Sequence, residues 1–187
     1  MVPEREMMPT EHLNIRPASA QDVPAITSIY AEHVVSGTAT FDTVPRTEQA
    51  TLSKLEECNQ KGWPFLVAES GGDVVGYAYV TQFRDRPAYA YSCENSIYIR
   101  SDQIHRGLGK ALMEKLLQAA EKAGFRQMIA VCGGGEPASV ALHYSCGFDV
   151  AGRMKSVGRK AGRWLDTVYM QVALGQGDGA APEREPT

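Results

Sequence analysis

Tyr98-Ile99-Arg100-Ser101-Asp102-Gln103-Ile104-His105-Arg106-Gly107-Leu108-Gly109-Lys110, running on through Leu112 and Leu116 to Ala120, is the stretch on which the fold turns. It reads as the end of a strand, a short polar loop and the start of a helix. Leu108, Leu112, Leu116 and Ala120 recur at helical spacing on one side, and Lys110, Glu114, Gln118 and Lys122 occupy the other. Gly124 ends that helix. Within the loop, Gly107 and Gly109 let successive backbone N–H groups converge on an anion, and a helix N-terminus adds partial positive charge. His105, Arg106 and Lys110 bring cationic side chains to the same place. Taken alone, the loop reads equally as a glycine turn before a surface helix, because a lone G-x-G specifies little. It is no Walker loop, and the third glycine of a dinucleotide fingerprint is missing.

Working outward, the strand before the loop covers 91–100. Upstream, Leu13 and Ile15 predict a short strand closed by Pro17. Ser19 and Asp22 form a capping-box pattern before Val23, Ile26, Ile29, Tyr30 and Val34, a helical repeat that Gly37 stops. Thr47 caps a second helix carrying Leu52 and Leu55, ended by Gly62 and Pro64. Gly71-Gly72-Asp73 separates two apolar runs, 65–69 and 74–80, as a hairpin turn would. Downstream come a strand over 127–132, a helix from Pro137 to Cys146, and strands over 148–157 and 164–173. The order β-α-α-β-β-β-α-β-α-β-β predicts an α/β (α+β) domain, a mixed sheet flanked by helices rather than a doubly wound one. One domain over 12–174 is expected, with 1–11 and the Gly- and Pro-rich 175–187 as flexible ends.

Composition excludes several classes. Of 187 residues 43% are apolar and 22% charged, which is globular rather than disordered. A formal charge of −3 leaves no basic footprint for nucleic acid. Cys58, Cys93, Cys132 and Cys146 lie far apart without a C-x-x-C pair, so no metal site is expected. They read as small buried side chains in a reducing compartment. No signal-like segment or membrane-length apolar run is visible, and a cytoplasmic location is expected.

Three segments in fixed order carry a resemblance: Ser96-Ile97-Tyr98-Ile99, Arg106-Gly107-Leu108-Gly109-Lys110-Ala111-Leu112, and Leu142-His143-Tyr144-Ser145-Cys146-Gly147-Phe148. Together they resemble the GNAT superfamily of acyl-CoA-dependent N-acetyltransferases. Thr40-Phe41-Asp42-Thr43-Val44-Pro45-Arg46-Thr47 is similar to the segment after the first helix of phosphinothricin acetyltransferases. Gly162-Arg163-Trp164-Leu165-Asp166 is similar to the last hairpin of methionine sulfoximine/sulfone acetyltransferases. The resemblance implies a mostly antiparallel central sheet, acetyl-CoA as acyl donor without a metal, a small amino-acid-like acceptor and a homodimer. It places Ile97, Tyr98 and Ile99 along the pantetheine arm and His105 through Lys110 on the phosphates, with Glu136 and Ser139 also at the cofactor. The chain departs from the family pattern at Ile104, where Arg or Gln is usual, and at Glu136, where Asn is usual. Both departures predict weaker side-chain contacts to the cofactor, and Glu136→Asn is expected to tighten binding if the carboxylate lies beside it.

The resemblance further implies Glu94 as the group that accepts the ammonium proton and His143 as the group that positions or protonates the leaving thiolate. Read without it, Glu94 is as well a solvated strand residue, and His143 a core-edge histidine under a helix. Tyr144 is the polar alternative beside His143. For the acceptor, Phe41, Arg84, Asp85, Arg86, Glu94, Asn95 and Ser96 are expected, with an arginine fork gripping a carboxylate. Tyr79, Tyr89 and Trp164 are further candidate walls. Two alternatives stay open: acetylation of another small amine or a protein N-terminus, and a non-catalytic acyl-CoA-binding module.

Overall fold

The computed structural model describes residues 13–186; the expected loose segment 1–11 lies outside the described residues. The elements follow the order read from the sequence: β1 (Asn14–Pro17), α1 (Val23–Ser36), α2 (Glu48–Lys61), β2 (Phe65–Ser70), β3 (Asp73–Gln82), β4 (Ser92–Ile99), α3 (Leu108–Lys122), β5 (Gln127–Gly133), α4 (Pro137–Ser145), β6 (Asp149–Lys160) and β7 (Arg163–Ala173). The caps act as their residue types dictate. Thr47 accepts a hydrogen bond from the Ala50 N–H at 3.2 Å. Asp22 Oδ2 accepts from the Ser19 N–H at 2.7 Å, and Arg16 grips the same carboxylate with two nitrogens at 2.8 and 2.9 Å. Those Arg16 bonds hold the Asp22 carboxyl at about 2, below its usual range. The β6 strand runs three residues beyond the expected 157. Ala161 and Gly162 both adopt left-handed backbone, and this turn lets pairing close at Lys160↔Arg163.

Seven strands form one sheet in the order β1-β2-β3-β4-β5-β7-β6. Every neighbouring pair is antiparallel except β4–β5. Period-two alternation divides the core between the two faces. Phe65, Val67, Tyr77 and Tyr79 pack under α1 and α2 with Ile26, Ile29 and Leu55. Leu66, Ala68, Ala78 and Val80 face α3 with Leu112, Met113 and Leu116. Leu112, Met113 and Leu116 are wholly buried, so trimming Leu116 to Ala would cost about 2–5 kcal/mol. Residues after β7 form no further helix or strand among the described residues. They are tied back by Gly177 N–H on Leu174 O (2.9 Å) and by the Tyr91 hydroxyl, which donates to Arg184 O (2.6 Å).

The parallel pair is short. Register runs from Ser92↔Gln127 to Asn95↔Ala130, yet β4 continues to Ile99 and β5 to Gly133. The two strands therefore part after Asn95 and leave a gap in the sheet. Arg100 N–H bonds Val75 O and Phe83 N–H bonds Ser92 O, so even-numbered residues of β4 turn their backbone groups toward β3. Ile97 and Ile99 consequently turn theirs into the gap.

Candidate active site

The gap opens at its mouth onto the glycine loop. Gly107 (φ 78°) sits in the left-handed region immediately before α3, as does His105 (φ 64°). A Cβ at Gly107 would meet nothing within 4 Å, so glycine is required there for backbone conformation rather than for space. The first N–H groups of α3 have no intrahelical acceptor and, with the helix dipole, suit the place to an anion. His105, Arg106 and Lys110 are exposed around it. Ile104 is about half exposed and contributes no charge.

At the inner end of the gap lies a cavity of about 230 Å³. Its floor is β4, from Glu94 through Tyr98, facing Val131 and Gly133 of β5. Ser139 and His143 of α4 complete its lining with Tyr30 of α1 and with Ala39, Thr40, Phe41, Asp42 and Arg46 of the segment that follows. The segment after α1 is held in place by several bonds. Lys160 Nζ donates to Thr40 O (2.8 Å), Tyr30 Oη donates to Asp42 Oδ2 (2.6 Å), and the Thr38 hydroxyl bonds the Glu136 carboxylate. Its backbone also presses on β5: a Cβ at Gly133 would lie 2.7 Å from Ala39 O, so only glycine permits the approach.

Glu94 is two-thirds buried, and removal from water raises its carboxyl above the ordinary range, against the opposing pull of Arg84. Arg84 Nη1 stands 3.9 Å from Glu94 Oε2, too far for a hydrogen bond. A carboxylate so poised, with one exposed edge, accepts a proton more readily than a solvated one.

His143 is almost fully buried, edge-on to Phe148. Its Nδ1 lies 2.7 Å from Ser139 O and its Nε2 3.1 Å from Asn95 Oδ1, while Asn95 Nδ2 donates to Ile129 O at 3.4 Å. A ring between two acceptors is suited to hold two protons, whereas burial lowers its pKa and favours one. With a single proton, the ring donates only one of these two bonds. Asn95 thus links the ring to the cavity floor.

The structure brings Phe41, Glu94, Asn95, Ser96, Ile97, Tyr98, Ser139 and His143 together around one space. Arg84, Asp85 and Arg86 lie outside its lining, on the loop between β3 and β4 that Gln82 Nε2 secures through Arg84 O (2.6 Å) and Arg86 O (3.3 Å). Glu136 stands beside the cavity rather than in it, bonded to Thr38. Among the other aromatic candidates, Tyr79 packs in a stack with Phe65, while Tyr89 and Trp164 are exposed, as is Tyr144. Tyr98 divides its roles: its backbone pairs with β3, and its ring packs against Tyr30 and Tyr77. Sequence reading missed Tyr30, Thr40, Asp42 and Arg46. A signal was present, for Asp42 and Arg46 stand four apart with opposite charge inside a segment already singled out by resemblance. Among the described residues no cluster of His, Cys, Asp or Glu could hold a metal ion.

A sheet parted at its one parallel junction, a phosphate cradle at the mouth and a partly desolvated carboxylate inside define an acyl-CoA-dependent acyltransferase. The chain belongs to the GNAT acetyltransferases: the family described as Acetyltransferase (GNAT) domain matches residues 15–169. It is an N-acetyltransferase. It is 45% identical over 170 residues, 90% of this chain and 86% of the relative, to the phosphinothricin N-acetyltransferase of Alcaligenes faecalis. It is 36% identical over 162 residues, 86% of this chain and 94% of the relative, to the L-methionine sulfoximine/L-methionine sulfone acetyltransferase of Pseudomonas paraeruginosa. Among solved structures, a GNAT superfamily phosphinothricin acetyltransferase from Sinorhizobium meliloti, in complex with AcCoA, superposes with a TM-score of 0.90. That match has 42% identity and covers 93% of this chain and 95% of that one.

Proposed function

We propose that this enzyme transfers the acetyl group of acetyl-CoA to the α-amine of a small amino-acid-like acceptor of the phosphinothricin, methionine sulfoximine or methionine sulfone type. The observation that carries the reading is Glu94, a carboxylate raised by burial, standing where the backbone of β4 comes free of its parallel partner. Loop 105–110 with the N-terminus of α3 holds the cofactor phosphates. The gap-facing N–H and C=O groups of Ile97 hold the pantetheine arm as an added strand would. At Ile99 the carbonyl is already taken by His33 Nε2 at 2.9 Å, which leaves the N–H.

Glu94 takes the proton of the arriving ammonium, directly or through water, and the neutral nitrogen attacks the thioester carbonyl. The N–C bond forms and the C–S bond breaks; the nitrogen gives up its second proton as the amide forms, and the departing thiolate takes up one proton in balance, on the side of the cavity that His143 and Asn95 occupy. Arg84 and Arg86 meet the acceptor carboxylate from the rim, beside Glu94. Substrates of this kind make detoxification the use.

A homodimer is supported by the outer edge of the sheet. There β6 has an unpaired flank among the described residues, and Val150, Met154, Val157 and Trp164 are each 46–62% exposed on the last hairpin. A cytoplasmic location is supported by four free cysteines. No helix among the described residues is long and apolar enough to cross a membrane.

The test is thiol release from acetyl-CoA against a panel of amines, with each amino-acid analogue offered as free acid and as methyl ester. The free acids are expected to lead. Equal kcat/KM for acid and ester would remove the carboxylate grip and advance other small amines or a protein N-terminus. Acetyl-CoA binding without thiol release for any amine would leave the acyl-CoA-binding module.

A further inference from the structure

Arg46 is the one lysine or arginine lining the cavity among the described residues. It stands on the segment that follows α1. Its guanidinium lies over the Tyr30 ring, 4.3 Å from the centroid, and its side chain is 35% exposed. A guanidinium has five N–H donors. Here Nη1 donates one long bond, 3.4 Å to the Tyr79 hydroxyl, and Nε stands 3.4 Å from Asp42 Oδ2. Asp42 is better engaged elsewhere, for it accepts the Tyr30 hydroxyl at 2.6 Å. At least three donors therefore stay available on a group fixed by stacking and removed from much of the solvent. Such a group is built to bind oxygen, and Asp42 offsets its charge so that it offers hydrogen bonds more than net attraction.

We infer that Arg46 is a specificity-determining residue that binds the oxygen-bearing end of the acceptor side chain. The inference rests on the acceptor class proposed above. With the amine at Glu94 and the α-carboxylate toward Arg84, which stands beside Glu94 outside the lining, the acceptor's side chain is left to extend into the cavity. There it meets Arg46 with Thr40 and Phe41. A tetrahedral S=O or P=O centre presents acceptor oxygens in several directions and satisfies a fork of donors; a thioether does not. Arg46 therefore distinguishes oxidised or phosphinic side chains from their unoxidised counterparts. It does so without taking part in the acyl transfer.

Methionine and methionine sulfone differ only in the two sulfur oxygens, so they isolate this contact. The ratio of kcat/KM for the sulfone over methionine is expected to exceed one in the wild-type enzyme. In Arg46→Leu it should collapse by about 10- to 100-fold, the loss typical of a charge-assisted contact. Arg46→Lys, which keeps the charge and the stacked stem, should restore part of the ratio and guards against misfolding of the leucine variant. KM for acetyl-CoA serves as the internal reference. An unchanged ratio in both variants, or no preference for the sulfone in the wild type, would overturn the assignment. Wild-type enzyme that acetylates neither amino acid would overturn the acceptor class and this inference with it. That failure shows in the wild type; a failure of Arg46 alone shows only in the variants.

Discussion

The two ends of the gap are built in opposite ways. The proposed phosphate cradle is six consecutive residues, His105 to Lys110, whose geometry follows from two glycines and the start of a helix. The proposed acceptor cavity gathers Tyr30, Phe41 with Arg46, Glu94 and His143 from four separate parts of the chain. A local device that serves a shared cofactor can be carried by a short motif and depends little on what surrounds it. A pocket that selects one acceptor depends on distances between elements, so its residues are individually unremarkable in sequence. The cradle should accordingly respond to backbone changes and the cavity to side-chain chemistry, and each can be tested against the other.

The largest effect is expected inside the cavity. Glu94→Gln should lower turnover by about 10²–10⁴-fold while leaving acetyl-CoA affinity near its original value, measured by steady-state kinetics beside calorimetry. The pH profile supplies the sign. Burial raises the Glu94 carboxyl, and only its ionised form takes a proton. Activity should therefore rise with pH along an acid limb lying above the ordinary carboxylate range, and that limb should vanish in the glutamine variant. If Glu94→Gln and His143→Ala both kept near-normal turnover, attack by an already neutral amine would replace the proposed base.

At the cradle, Gly107→Val forces a β-branched residue to φ 78°, a strain of about 1–2 kcal/mol or more, and removes the close backbone approach. Acetyl-CoA affinity should fall about tenfold or more, with the relative preference among acceptors unchanged. Unchanged calorimetric affinity would sink the cradle, and altered acceptor preference would show that the two ends are not independent.

The smallest effect sharpens the boundary between them. Glu136 holds Thr38 and so braces the segment carrying Phe41 and Arg46. The shorter Glu136→Asn should break that bond and raise acceptor KM a few-fold, about 1 kcal/mol for one lost hydrogen bond. The family pattern instead has asparagine tightening the cofactor. Isothermal titration with acetyl-CoA and kinetics with methionine sulfone tell these apart: tighter cofactor binding with unaltered acceptor KM would assign Glu136 to the cradle.

What the sequence determined by itself was everything carried by local periodicity and turn chemistry. The order of the elements, the helix that starts inside the glycine loop, the Thr47 cap and the strand leading from Glu94 to Ile99 were all legible, because neighbours in the chain impose those choices. Tertiary structure alone decided where β4 leaves β5, since that depends on how far two distant strands keep register. It also decided that Arg46, and neither Arg84 nor Arg86, lines the cavity. A charge in a loop reads the same whether it faces water or substrate. Only packing, with Tyr30 beneath the guanidinium, Lys160 on Thr40 and Glu136 on Thr38, turns that segment inward.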